Sequence, residues 1–435
     1  MDDGSDVAVA PNINVVNLIF EGRKEVMEIV NTGGSLVGLL AGESLLCPLI
    51  GSDITLIKEV GRGKFGTVFS INFGGMGVKK YVVKKMKAVS VKYKGDEDIT
   101  LGELAEKRER KKDISGNILI AINGGDPNVK IKDLPEPIWI PKYAEICQTK
   151  EIEVIKKHGR RGNTIIPKGS YVCEQEIYSE YFIGLLLARF YQTGKSINFV
   201  DTFAFATCAQ EKSQYIFMEM INCELHEILD KIDSKTASSI FIQILHSIAM
   251  YQHRYNIGHN DLHSGNIFIE KVTEETQFNG ELLRNADYHH YKVFETDLYV
   301  PAVPYIVKIG DFGLSVKWSE PIVGDKASID KRRKSVPNWY SVSYDIVFIA
   351  NIFNEFFPHN RLIRNVFSYV SNYTFPESAE MMEEIREDLI KKKSSRPVVS
   401  LLVDRSAIDV LTDKELMKRF LKPNEGKTVT LGVLD

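Results

Sequence analysis

The sequence predicts an α+β fold with two lobes, a strand-rich first half followed by a helix-rich second half. Three observations lead there. From Thr55 the text "ITLIKEVGRGKFGTVFSINF" reads as strand, glycine turn and strand, and "KKYVVKKMKAV" is a third β-prone run. The stretch "SKTASSIFIQILHSIAMYQHRYN" sets Phe241, Ile244, Leu245 and Ile248 at the spacing of one buried helical face, with Ser234 as the expected N-cap. The stretch "YDIVFIANIFNEFF" is apolar on nearly every side, which suits a helix in the middle of a domain.

The remaining elements follow in order. Residues 1–50 hold apolar patches without a clear period and are taken as an N-terminal extension. The first lobe is expected over 51–221. Within it, the polar region from about 90 to 170 is too long for an ordinary connection and reads as an insertion. "CEQEIYSEYFIGLLLARFYQ" reads as a helix, and "INFVDTFAFATC" and "SQYIFMEMI" as two further strands. The second lobe is expected over 222–421, with surface helices at "ESAEMMEEIREDLIKKK" and "TDKELMKRFL", and 422–435 as a tail.

A formal net charge of −3 gives no reason to expect nucleic acid or membrane as a partner. The basic runs Glu106–Asp113 and Asp330–Ser335 read as solvated faces. Five widely spaced cysteines, an odd number with no CxxC pair, predict reduced thiols rather than a disulfide or zinc site. The apolar run "SLVGLLAGESLLCPLIG" contains Glu43 and is too short to span a bilayer. With no signal-peptide pattern, a soluble intracellular protein is expected.

The residues that carry chemistry begin with Gly61, Gly63 and Gly66, a GxGxxG followed by Val68. Glycines let backbone N–H groups approach phosphate oxygens with no Cβ in the way. A strand pattern follows rather than a helix, and the residue downstream is the basic Lys84, so the dinucleotide-binding reading is disfavoured. The loop reads as a flap between strands, with Lys84 turned to the same phosphates and Lys85 to the opposite face. Such an ammonium needs a carboxylate to hold it. Glu174, Glu176 and Glu180 are candidates; Glu180, which opens the apolar run of its helix, is chosen and Glu176 is the runner-up. Asp261 lies just past the long helix, where a loop would display it as the base for a hydroxyl. Asn266 offers an amide oxygen to a hard cation, and Asp311, at the end of a β-prone run, offers a second carboxylate; one of each suits magnesium.

Taken in order, these motifs resemble the eukaryotic-type protein kinases, from about Thr55 to about Arg396. The phosphate loop of that family is matched by "GRGKFGTV", which brings in Arg62, Lys64 and Phe65, and its strand lysine by Lys84. Its catalytic loop is matched by "HNDLHSGN" and its magnesium triplet by Asp311, Phe312 and Gly313. The resemblance makes Met218 the gatekeeper beside the adenine, with the backbone of Glu219 and Ile221 bonding the base. It makes Asp345 the buried anchor of the catalytic loop and Arg396 a late structural arginine. It implies a two-lobed kinase fold: a small antiparallel-sheet lobe with one main helix, and a larger, mostly helical lobe. It also implies ATP and Mg²⁺ as cofactors, Ser/Thr hydroxyls of proteins as substrates, and no set oligomeric state.

The departures narrow the resemblance. Asn260 stands in place of the arginine that reads an activation-loop phosphate, so activity without such phosphorylation is expected. His263 stands in place of the lysine that touches the transferred phosphate; it is either a bland loop residue or a hydrogen-bond donor to the γ-phosphate or the acceptor hydroxyl. The Asp-Leu-His-x-Gly-Asn variant is similar to haspin kinases and to serine/threonine kinases of large cytoplasmic DNA viruses of the iridovirus and marseillevirus type. A viral protein would sit in host cytoplasm or the virion. The stretch between Asn266 and Asp311 is far longer than usual and holds an insertion at about 271–304. The segment after Asp311 is short and lacks an Ala-Pro-Glu triplet, which leaves peptide docking open. A pseudokinase scaffold and a small-molecule kinase are the alternative readings.

Overall fold

The computed structural model describes residues 44–62, 66–73, 81–90, 98–109, 127–134, 139–141, 158–159, 162–163, 173–221, 223–259, 261–313, 315–317, 342–370, 405–423 and 425–435. The architecture is α+β. The chain divides into two compact units. The first takes Met1–Ile152, Lys168–Leu186 and Asp201–Met220, and the second Glu153–Pro167, Leu187–Val200 and Ile221–Asp435.

The first unit is built on an antiparallel sheet. Its strands are β1 (Ile54–Arg62), β2 (Thr67–Phe73), β3 (Tyr81–Ser90), β4 (Trp139–Pro141), β5 (Thr202–Cys208) and β6 (Ser213–Glu219). Five of them run in the order β1-β2-β3-β6-β5, and β4 pairs with the end of β3. β-Branched and aromatic residues fill these runs, as a pleated, half-buried surface favours. On one face Val83, Ile71, Phe217, Tyr215 and Phe203 pack with Leu46 and Cys47 into a continuous core. The end of the expected N-terminal extension is folded: Leu46 and Cys47 are buried, and a short 3-10 turn spans Cys47–Leu49.

Cys47 and Cys208 form a disulfide, which corrects the expectation of five reduced thiols. The partners are 161 residues apart in sequence and come together only because β5 ends beneath the segment before β1; neither count nor spacing could show that. Helix α1 (Leu101–Glu109) lies inside the expected insertion, so part of that region is folded. Helix α2 (Cys173–Gln192) has the bounds read from the sequence; it starts in the first unit and ends in the second.

The second unit is organised by α3 (Ser234–Tyr255), whose Phe241, Ile244, Leu245 and Ile248 are all fully buried. Its N-cap is Asp233 rather than Ser234: the Asp233 carboxylate accepts the Thr236 N–H at 2.7 Å, satisfying an orphan donor of the first turn. Asn256 closes the helix in the left-handed conformation at φ 53°, which asparagine tolerates. Strand β7 (Ile267–Lys271) precedes β8 (Tyr288–Val293), β9 (Thr296–Pro301) and β10 (Tyr305–Ile309), and β7 pairs antiparallel with β10. Helices α4 (Tyr344–Phe356), α5 (Arg361–Val370) and α6 (Ala407–Thr412) follow, and β11 (Thr428–Leu434) comes last.

Three expectations are corrected here. Residues 422–435 are not a tail: β11 pairs in parallel with β8 and completes a three-stranded sheet in the order β9-β8-β11, burying Val429, Leu431 and Leu434. The inserted segment 271–304 supplies the other two strands, so this unit is less helical than expected. The helix expected over "TDKELMKRFL" does not form. The Asp413 carboxylate accepts the N–H groups of Glu415 and Leu416, both at 3.0 Å, and a series of turns results. Arg396 and the stretch "ESAEMMEEIREDLIKKK" lie outside the described residues.

Candidate active site

In the first unit β3 presents alternate residues to opposite faces. Val83 joins the sheet core, and Lys84 turns the other way. Lys84 and Glu180 are each only 6% exposed, and Lys84 Nζ donates to Glu180 Oε1. A buried ammonium costs several kcal/mol unless paired, so the two charges justify one another. Lys85, on the other face, bonds Glu211 at 3.0 Å beside the Tyr215 ring. The Tyr215 hydroxyl, and after it Lys85, hold the Glu211 carboxyl below its ordinary range. Neighbouring lysines thus have different surroundings, with the buried one paired to the expected glutamate.

Of the two strands on either side of residues 63–65, β2 lies beside Lys84 and β1 lies beyond β2. Val68 stands opposite Lys84 on one side and Gly61 on the other. Gly66 is obligatory for packing: a Cβ there would lie 2.7 Å from the Lys85 carbonyl oxygen. Arg62 is exposed and commits its guanidinium to Glu59 at 2.9 and 3.0 Å. Gly63, Lys64 and Phe65 lie outside the described residues. Met218, half-buried, stands opposite Val82 on β6. Glu219 spends its backbone N–H on the Asp201 carbonyl at 2.9 Å and its carboxylate on the Asp201 N–H at 2.8 Å, so base recognition would fall to its carbonyl. Ile221 is half-buried and outside any strand.

In the second unit, the loop between α3 and β7 is pinned at both ends. Asp345, buried near the start of α4, accepts the His259 N–H at 2.8 Å and the Tyr251 hydroxyl at 2.9 Å through Oδ2. Burial first, then the Asp345 charge, pushes the Tyr251 phenol up. The His259 ring reaches the Gly310 carbonyl at 3.1 Å and lies against Phe312. At the other end Asn266 Nδ2 donates to the Asp261 carbonyl at 2.8 Å, and the Asn266 carbonyl accepts the Gly310 N–H at 3.2 Å. The β7–β10 ladder, with Ile267 opposite Ile309, therefore gathers Asp261, Asn266 and Asp311. Asp311 adopts φ 55°, a left-handed conformation uncommon outside glycine that often marks functional sites.

No family model matches the chain, and no curated protein matches it.

The residues fit a magnesium ion. Because Asn266 Nδ2 bonds the Asp261 carbonyl, its side-chain oxygen is set on the other side of the amide, as a hard-cation ligand must be. Asp311 supplies an exposed carboxylate one residue beyond the Gly310 that Asn266 holds. Lys84 and Glu180 meet in the first unit; Asp261, Asn266 and Asp311 are gathered in the second.

Three supporting residues were not found from the sequence. Tyr251 occupies an unremarkable position of an amphipathic helix. Tyr344 has its phenol pushed up by burial, then by the charges of Asp345 and Asp261. Gly310 has no room for a side chain, because a Cβ would lie 2.9 Å from Val200 and 3.0 Å from Phe268. Of these only Gly310 left a trace, as the small residue before "DFG".

Proposed function

We propose that the chain is a protein kinase of the two-lobed fold that moves the γ-phosphate of ATP to serine or threonine hydroxyls of protein substrates. The observation that carries this reading is the pinned loop from His259 to Asn266, held by Asp345 at one end and by Gly310 at the other. A loop so fixed presents a carboxylate, a carboxamide and a second carboxylate without paying for their order at the moment of reaction.

In this reading Asp261 orients the acceptor hydroxyl and takes its proton as the oxygen attacks phosphorus, a contribution of about 10² to 10⁴ in rate. Asn266 and Asp311 hold magnesium, which neutralises charge on the phosphates when bound. Lys84, kept in place by Glu180, grips the α- and β-phosphates, and the backbone of the Gly61–Gly66 turn covers them. Met218 borders the adenine, and the backbone of Glu219 and Ile221 bonds it.

The test is a peptide library offering Ser, Thr or Tyr as acceptor, incubated with Mg-ATP and read by mass spectrometry. Phosphate is expected on Ser and Thr. In Asp261→Asn the rate should fall by about 10² or more, with nucleotide affinity retained. An unchanged rate in that variant, or transfer confined to small-molecule hydroxyls, would refute the proposal.

A further inference from the structure

His263 is tied into the loop by its backbone and by its ring. Its N–H donates to the Asp261 carbonyl at 2.8 Å, and its carbonyl accepts the Asn266 N–H at 2.9 Å. Its Nδ1 accepts the Gly265 N–H at 3.0 Å. A ring nitrogen that accepts a hydrogen bond carries no hydrogen, so the N–H of the ring is on Nε2. That nitrogen lies 3.8 Å from Asp261 Oδ2. The separation is just beyond hydrogen-bond reach, and contacts of this kind tighten when substrate is bound.

Gly265 lies close against the ring. A Cβ there would lie 3.0 Å from His263 Cε1, 3.1 Å from His263 Nδ1 and 3.1 Å from Glu224 Oε2. The glycine therefore provides both the amide that selects the tautomer and the space the ring occupies. Lysine would place a mobile cation on a long stem at this point; imidazole places a short donor with one fixed hydrogen.

We infer that His263 is a positioning residue, an Nε2–H donor locked by the Gly265 amide and facing the Asp261 carboxylate, which it holds in line for the acceptor hydroxyl. This rests on the kinase reading above. It assigns the histidine to the base rather than to the transferred phosphate, and it adds Gly265 to the residues the reaction needs.

Two measurements test it. Long-range ¹⁵N–¹H spectra of the full chain, with the His263 signal identified by its absence in His263→Gln, should show a protonated Nε2 and a bare Nδ1. A protonated Nδ1 overturns the inference. In steady-state assays His263→Ala should lower kcat by about tenfold to a hundredfold with KM for ATP little changed. His263→Gln, whose amide N–H falls near the place of Nε2–H, should recover most of that loss, and His263→Asn should not. Gly265→Ala should reproduce the loss with the imidazole present, and the double variant His263→Ala/Gly265→Ala should be no worse than either single variant. Equal loss in the Gln and Ala variants, or additive losses in the double variant, overturns the inference. If the wild type moves phosphate to no hydroxyl at all, the kinase reading falls, and the spectra still decide whether the donor is fixed.

Discussion

Lowering the pH should destabilise the second unit through two buried histidines. His289 on β8 is 1% exposed, faces Val300 and Val429 on the flanking strands, and has no hydrogen-bond partner for either ring nitrogen among the described residues. His246 on α3 is fully buried against Tyr291, with Nε2 donating to the Lys292 carbonyl at 3.3 Å. Burial pushes both imidazoles down to about 4; for His246 the Lys292 carbonyl opposes the shift and His290 adds to it. The unfolded chain takes up these protons near the ordinary value of about 6.5, whereas the folded chain does so only near 4. Their contribution to stability is therefore complete above the unfolded value and is lost as pH falls from there toward the folded one. Between pH 7 and pH 5 each ring should remove about 2 kcal/mol. The assay is urea unfolding of wild type and His289→Leu at both pH values, followed by tryptophan fluorescence and circular dichroism. The variant should lose about 2 kcal/mol less than wild type over that interval, because one proton-binding site of the unfolded state is gone. Because leucine leaves no buried nitrogen without a partner, little stability should be lost at pH 7. Parallel pH dependences in the two proteins would refute the reasoning.

Three further outcomes are expected. Removing one member of the Lys84–Glu180 pair should cost about 3 to 5 kcal/mol, and Lys84→Met/Glu180→Leu together should cost less than the sum; additive losses in urea unfolding would show that the charges do not depend on each other. Asp345→Ala leaves the Tyr251 hydroxyl and the His259 N–H without their acceptor, so stability should fall by about 2 to 4 kcal/mol and phosphotransfer should fall with it; full activity in the folded variant would separate the loop from the chemistry. Reducing the Cys47–Cys208 bond, or replacing both residues by serine, should cost about 5 kcal/mol on the chain-entropy account of so long a loop, and identical unfolding curves with and without reductant would refute a structural role.

Much of the fold was legible because local pattern and final environment agree. The bounds of α2 follow from an unbroken apolar run, and the buried face of α3 follows from its period. Lys84 and Glu180 were legible as a pair because a buried cation demands an anion and few carboxylates sit on the right helix. The failures share a cause, which is dependence on distant partners. β11 looks like a tail until β8 is placed beside it, since a seven-residue run of alternating residues says nothing of its partner. Cys47 and Cys208 are ordinary buried cysteines until β5 brings their Cα atoms to 5.6 Å. Gly265 was passed over because its importance lies in the His263 ring and the Glu224 carboxylate, which sequence spacing does not bring together.

The parallel pairing of β8 with β11 carries a consequence for how the molecule reaches its native state. Tyr288 and Thr428 are ladder partners, yet they stand 140 positions apart in the sequence. Until that late segment arrives, the β8–β9 ribbon stands with one margin of amides and carbonyls open to any passing strand, so assembly should be slow and concentration-sensitive, with errors arising there first.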